Sequence, residues 1–184
     1  MFFYYALLLA VGFERLAELV VAKRNAAWSF ARGGVETGRG HYPPMVVLHI
    51  GLLVGCLVEP IVAHRAFVPA LGWPMIALVL AAQSLRWWCI TTLGPRWNTR
   101  VIVVPGLPLI RTGPYRYAWL KHPNYIAVVV EGFALPLAGS AWITAITFTV
   151  LNAMLLTVRL RCESKALATA PTAASVTPPA TATA

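Results

Sequence analysis

With 184 residues, 59% of them hydrophobic and only 11% charged, the chain lies far from soluble domains, in which roughly a quarter of residues are charged. A mean hydropathy of +0.70 excludes an ordinary globular core and predicts an all-α integral membrane protein of about five transmembrane helices in one domain. The net charge of +9 suits nucleic acid in principle, but the cations sit in short loops between apolar segments, so the expected partner is the lipid bilayer and no nucleic acid is expected.

The first apolar segment, 1–22, is interrupted by Glu14, Arg15 and Glu18. Glu14 and Glu18 are one helical turn apart, and Arg15 can reach Glu18. That polar stripe must face protein or the interface, either as an intrahelical ion pair or as a brace for a functional loop. Residues 23–42 read as a basic, Gly-rich connection carrying Lys23, Arg24, Arg32 and Arg39. A second span is expected at 43–62 and a third at 70–93, the latter ending in Arg86-Trp87-Trp88, the mark of an interfacial belt. Stretch 94–124 is polar. Within it, 101–104 and 107–110 read as two extended pieces around Pro105-Gly106.

Spans four and five are expected at 123–137 and 141–158, joined by a link too short for anything but an antiparallel hairpin. Span four is short, so a tilted or partly lipid-facing hairpin is expected. From 168 to 184 the chain is Ala, Thr and Pro and reads as a disordered tail behind a 1–167 membrane domain. No cleavable signal peptide is expected. Cys56, Cys89 and Cys162 follow no disulfide spacing and no metal spacing, so no metal site is expected. The loop at 23–42, the stretch 86–124 and the segment after span five hold the cations, with Arg15 inside the first span, whereas the opposite side has only Arg65. Five spans with the N-terminus outside and the C-terminus in the cytoplasm satisfy that asymmetry. Oligomeric state is not indicated.

Two charged stations should meet on the cytoplasmic face. One is Gly113-Pro114-Tyr115-Arg116-Tyr117 with Lys121-His122-Pro123-Asn124-Tyr125, at the entrance to span four. The other is Arg159-Leu160-Arg161-Cys162-Glu163, at the exit of span five. Such charge beside lipid is functional by default. The hairpin brings the stations together, and a pocket of Arg, His, Tyr and one carboxylate under loop 94–121 suits a polar cofactor and a greasy substrate. Taken singly, His122 also fits an interfacial helix cap. His41 and His49 read as structural, and His64 lies on the opposite face.

Together these runs resemble the isoprenylcysteine carboxyl methyltransferase family and its phospholipid-methyltransferase relatives. Gly40-His41-Tyr42-Pro43 and Trp97-Asn98-Thr99 resemble, in particular, a bacterial branch of alkylpyrone O-methyltransferases that accompany type III polyketide synthases. The resemblance implies an S-adenosylmethionine-dependent O-methyltransferase with a lipophilic small-molecule acceptor, and a C-terminal hairpin that forms the cofactor site. It implies cofactor binding by Gly113, Tyr115, Arg116, Lys121, His122, Pro123, Tyr125 and Glu163, with Arg159 and Glu163 catalytic. Asn98 would lie in the covering loop. His122 is expected as a ligand and not as a general base, because no second group is placed to orient it. The chain departs from the family pattern at Lys121 in place of Arg, at Ser164 in place of a second Glu, and at an apparent insertion of Ala118-Trp119. Membrane sterol reductases, which bind a nicotinamide cofactor, and a small membrane scaffold or transporter subunit are the rival classes.

Overall fold

The computed structural model of the chain describes residues 1–117, 120 and 122–169. Lys121, Ala118, Trp119 and the tail from 170 onward lie outside the described residues. Five helices carry the fold: α1 (Phe2–Phe30), α2 (Tyr42–Val62), α3 (Pro69–Leu93), α4 (Pro123–Ala138) and α5 (Trp142–Thr169). Among the described residues, three segments are long and apolar enough to cross a membrane, Arg39–Val62, Pro69–Arg96 and Trp142–Ala168. The chain is thus a mostly helical integral membrane protein. Helix α1 is long but carries charges, and α4 has only 16 residues. Lipid-facing apolar side chains such as Phe3, Phe13, Ile50 and Ile146 stay exposed on the helices that surround the bundle.

Helix α4 packs mainly on α3 and then on α5, so it sits inside the bundle. Gly132 makes the α4–α5 approach possible, because a Cβ there would fall 2.0 Å from the Phe148 ring. At the hairpin end, Gly139 lets the Tyr4 ring lie against the backbone, and the Tyr4 hydroxyl donates to the Cys56 carbonyl at 2.7 Å. The Glu59 carboxylate of α2 accepts the backbone N–H groups of Ile143 and Thr144, filling donors that the first turn of α5 leaves open.

Several expectations need correction. Helix α1 does not stop at residue 22: Lys23, Arg24, Asn25 and Trp28 extend it to Phe30. Helix α5 likewise runs beyond 158, so Arg159 and Glu163 stand on a continuous helix. Of the two extended pieces expected around Pro105-Gly106, only the first includes a strand. Val101–Val103 (β2) pairs instead with Val35–Thr37 (β1), antiparallel, with Glu36 opposite Ile102. Gly106 does turn the chain at φ 77°. Pro108 lacks an N–H, and a strand through 107–110 would lose a ladder bond there.

The third correction concerns charge. Arg86 is not in an interfacial belt; it is buried at 4% exposure. Its Nη2 lies 2.5 Å from a Glu131 oxygen, and the same oxygen is 2.6 Å from Arg15 Nη2. Arg15 also pairs with Glu18 at 2.6 Å, and Arg86 Nε lies 3.4 Å from Glu18. The intrahelical pair therefore exists, but as one side of a four-charge ring spanning α1, α3 and α4. Gln83 joins it by accepting from Arg15.

Two cations and two carboxylates leave the ring neutral, which is the condition for keeping charge inside an apolar bundle. Glu131→Leu strands two guanidinium groups. It should lower the unfolding free energy of the detergent-solubilised protein by about 3–5 kcal/mol. Adding Arg86→Met should recover much of the loss, because Arg15 and Glu18 still neutralise each other. Equal losses in the single and double variants would show that the ring is not a coupled unit.

Candidate active site

The site grows from the first turn of α4 and the C-terminal part of α5. His122 precedes α4, whose first residue is the buried Pro123, and it is followed by Asn124 and Tyr125. Proline suits this position because the first helical N–H has no partner to lose. On α5, Arg159 and Glu163 are four residues apart and share a face. The Tyr125 hydroxyl links them. It donates to Glu163 Oε2 in a very short hydrogen bond and accepts from Arg159 Nε at 3.0 Å. Arg159 is fixed further by the Thr99 carbonyl, 2.5 Å from Nη1, and by Met45 Sδ at 3.3 Å. It is 6% exposed. The guanidinium thus ties α2, α4, α5 and the loop before β2 to one point.

Tyr115 enters from a 3₁₀ turn, Gly113–Arg116. Gly113 holds φ 54° there, and a Cβ would lie 2.4 Å from Thr92 Oγ1, so the turn presses close against α3 in a way only glycine allows. Burial raises the Tyr115 phenol well above its ordinary value, and the Cys89 thiol, which accepts its hydrogen bond, adds to the rise. Tyr115 is therefore a neutral donor in this site.

Two cavities open around these groups. The first, about 420 Å³, is lined by Tyr115, His122, Tyr125, Arg159 and Glu163, and by loop residues including Arg100 and Arg111. The second, about 320 Å³, lies between α1, α2, α4 and α5 and is mostly apolar, with Leu16, Ile50, Leu53 and Leu156 among its walls. Both volumes fall at the lower end of the roughly 300–1,000 Å³ typical of small-molecule sites. The two cavities share Trp97, Asn98, Asn124, Tyr125 and Arg159.

Five of the residues expected from sequence thus surround one cavity. Three do not. Gly113 shapes the turn against Thr92, and Pro123 starts α4. Arg116 is exposed and stacks on Tyr117, 4.6 Å from the ring centre. It points away because the 3₁₀ turn gives its inward position to Tyr115. Asn98 sits as expected in the covering loop, where its amide donates to the Ala22 carbonyl at 3.2 Å. Asn25 holds the same loop by donating to the Gly94 and Trp97 carbonyls. Sequence reading missed Asn25, Asn124 and Glu131. Glu131 was findable, as a lone carboxylate in an otherwise apolar helix, and Asn124 lies inside the 121–125 run already singled out, whereas nothing local marks Asn25.

The shared role of Tyr125 is open to test. Tyr125→Phe keeps the ring but removes the link between Arg159 and Glu163. The variant should unfold about 1–3 kcal/mol more easily, as expected for a lost bond to charged groups. Unchanged stability in a thermal or denaturant melt would mean that the hydroxyl holds nothing together.

Comparison with known proteins places this architecture. The model of the isoprenylcysteine carboxyl methyltransferase (ICMT) family matches residues 75–169. An uncharacterised protein of Bacillus subtilis (strain 168), YpbQ, is 39% identical over 155 residues, covering 84% of this chain and 90% of the relative. No solved structure matches the chain.

Proposed function

The chain belongs to the isoprenylcysteine carboxyl methyltransferase family, a family of membrane methyltransferases, and on that premise we propose that it is an S-adenosylmethionine-dependent O-methyltransferase acting on a lipophilic acceptor. The observation that carries the reading is the shared wall: a cavity that gathers Tyr115, His122, Arg159 and Glu163 among apolar residues and a second, more apolar cavity meet at Asn98, Asn124, Tyr125 and Arg159. A transferase for a polar donor and a greasy acceptor needs that arrangement.

The first cavity, the more polar of the two, fits the cofactor chemically. The Glu163 carboxylate, held by Tyr125, suits a cationic centre. Tyr125 and His122, with ring centres 5.6 Å apart, give it an aromatic side. Arg100 and Arg111 stand on the wall as partners for a carboxylate, and Leu93, Leu107 and Ile110 supply apolar surface. S-adenosylmethionine, when bound, supplies an electrophilic methyl group on a sulfonium sulfur. The chain's own residues then act by positioning. Arg159 sits where the cavities join and can hold the acceptor oxygen in its anionic form. Its fixed bonds to Thr99 and Tyr125 mean that little reorganisation is needed. An acidic enol, phenol or carboxylate acceptor needs no strong base in the site, so His122 serves as a binding residue.

The acceptor is read as a polyketide alkylpyrone or a related alkylphenolic lipid, with the ring at the wall and the chain in the apolar cavity. All five helices are read as spanning. With Arg86 buried and Arg15 half-buried in the ring, the other Lys and Arg among the described residues, except Arg65, lie toward the site end of the bundle, and by the positive-inside rule we read that end as the cytoplasmic face of a bacterial cell membrane. The role of Lys121 toward the cofactor, implied by the sequence resemblance, stays part of this proposal.

Purified protein with labelled S-adenosylmethionine should methylate a long-chain alkylpyrone or alkylresorcinol. Calorimetry should show binding of S-adenosylmethionine and none of NADPH. Glu163→Ala and His122→Ala should each lower kcat/KM by about tenfold to a hundredfold or more, through lost positioning. Full activity in both variants would overturn the site assignment.

A further inference from the structure

Methyl transfer at Arg159 and Tyr125 occupies only the outer end of the second cavity. Farther in, two uncharged polar side chains stand ready for a ligand. Asn152 lies on α5, inside the membrane-crossing segment Trp142–Ala168, and is 5% exposed. An asparagine inside a membrane helix normally bonds across to a neighbouring helix. The Asn152 amide has no hydrogen-bond partner among the described residues. Nor is it sealed. Arg15 Nε, Gln83 Nε2 and Thr149 Oγ1 lack both a partner and any surface, but neither amide atom of Asn152 is among such atoms. The little surface that Asn152 keeps therefore includes its polar atoms. Asn152, Leu155, Leu156 and Arg159 recur at helical spacing along the α5 wall, so that surface opens into the cavity.

His49 faces the same space from α2, on the stripe that includes Met45, Val46 and Leu53. Its Nδ1 lies 2.8 Å from the Met45 carbonyl oxygen. A carbonyl only accepts, so Nδ1 carries the proton and the neutral ring presents Nε2 as an acceptor. That nitrogen has no partner among the described residues and is not sealed either. An edge-on contact with Phe148, ring centres 5.4 Å apart, fixes the imidazole further. Phe148 stands one turn before Asn152 on α5, which sets His49 within about one helical turn of the amide.

The surroundings decide what fits between them. Arg15, Glu18 and Arg86 border the cavity, but with Glu131 they neutralise one another. A carboxylate or an ammonium group would enter there without a counter-ion. Asn152 offers a donor and His49 an acceptor, which together complement a hydroxyl. A ketone or an ether satisfies Asn152 alone, and a methylene satisfies neither.

Resting on the methyl-transfer reading, we propose that His49 and Asn152 form a second polar station, which holds a hydroxyl on the acceptor's side chain, remote from the methylated oxygen. The hydroxyl donates to His49 Nε2, and its oxygen accepts from the Asn152 amide. Asn152 and Arg159 lie two helical turns apart on α5, about 10 Å along the axis. A bare ring held at Arg159 falls short of that span, whereas a ring with a short hydroxylated arm reaches it. The acceptor class is then a phenolic or enolic ring whose apolar side chain is hydroxylated close to the ring. Sites built to hydrogen-bond a substrate group strongly reject analogues that lack it.

The test uses full-length protein in lipid nanodiscs and two probes of equal length, 4-(2-hydroxydecyl)phenol and 4-decylphenol. Binding is measured by calorimetry, and methylation from labelled S-adenosylmethionine is followed on the same preparations. Wild type should bind the hydroxylated probe about tenfold or more tightly. Partition into the bilayer works against that preference, because the added hydroxyl favours water. Asn152→Leu, close in volume and without the amide, should cut the preference to about threefold or less. Its affinity for S-adenosylmethionine should stay as in wild type, since neither His49 nor Asn152 lines the first cavity. The variant should also melt no lower than wild type, because it removes an unpaired polar group from a span. Equal binding of the two probes by wild type overturns the proposal. So does an Asn152→Leu variant that keeps the preference, whether or not it melts lower. If that variant folds poorly, His49→Phe keeps a ring against Phe148, removes Nε2, and should lose the preference in the same comparison. The two readings fail separately. Selective binding without methylation sinks the methyltransferase reading and leaves the station standing, whereas methylation of both probes at equal affinity does the reverse.

Discussion

The ring formed by Arg15, Glu18, Arg86 and Glu131 sets the terms for the rest of the molecule. Each of its charges would be costly alone inside an apolar bundle, and only their mutual arrangement makes them tolerable. That requirement fixes α1, α3 and α4 against one another in both rotation and height, something apolar packing alone does loosely. Apolar helices in a membrane have no hydrophobic force pressing them together. The neutral ring therefore decides which helix faces look inward, including the face of α4 that carries Tyr125 toward α5.

The ring also limits what the apolar cavity can hold. Arg15, Glu18 and Arg86 line its inner end, while Arg159 and Tyr125 line its outer end. Glu131 follows Tyr125 by six residues on α4, which corresponds to a rise of about 9 Å. A flat ring fits that depth, whereas a long alkyl chain running straight inward would meet buried charge. Under the proposed lipid-acceptor reading, the chain would have to turn sideways past the apolar side chains of α1 and α2, where Leu16, Leu19 and Ile50 are exposed. Charge placed for packing thus becomes a measure of head-group depth.

How much of this was legible beforehand depended on the range of the interactions. Helices α2, α3 and α4 began and ended close to where hydrophobic runs met Pro, Gly or charge, because those signals are local. Both stations of the site were visible as charge beside hydrocarbon, and the short link at Gly139 was enough to bring them together. The continuation of α1 through Lys23 and Arg24 was not visible, since a helix leaving the membrane keeps its backbone bonds but loses its apolar pattern. The pairing of Val101–Val103 with Val35–Thr37 joins segments more than sixty residues apart. No local feature favours it over the nearer candidate at 107–110. Arg86 was misread because Trp87 and Trp88 beside it do resemble an interfacial belt. Only the opposing carboxylate on α4 shows that it turns inward.

The site also shows why its parts stand where they do along the chain. The groups that must be placed most closely, Arg159 and Glu163, sit on one unbroken helix and are joined to the next helix by a single phenol oxygen. Helical placement holds functional atoms more closely than loops do. The loop residues have a different task. Thr99 offers a carbonyl to Arg159, while Asn25 and Asn98 pin the segment that carries Trp97 onto α1. The covering segment is thereby tied to the same helix that carries Arg15 and Glu18. A shift of α1 would move the floor of the apolar cavity and its wall together. The depth of the apolar cavity and the position of the segment that covers it are then set by one element, and that element is held in place by the buried ring.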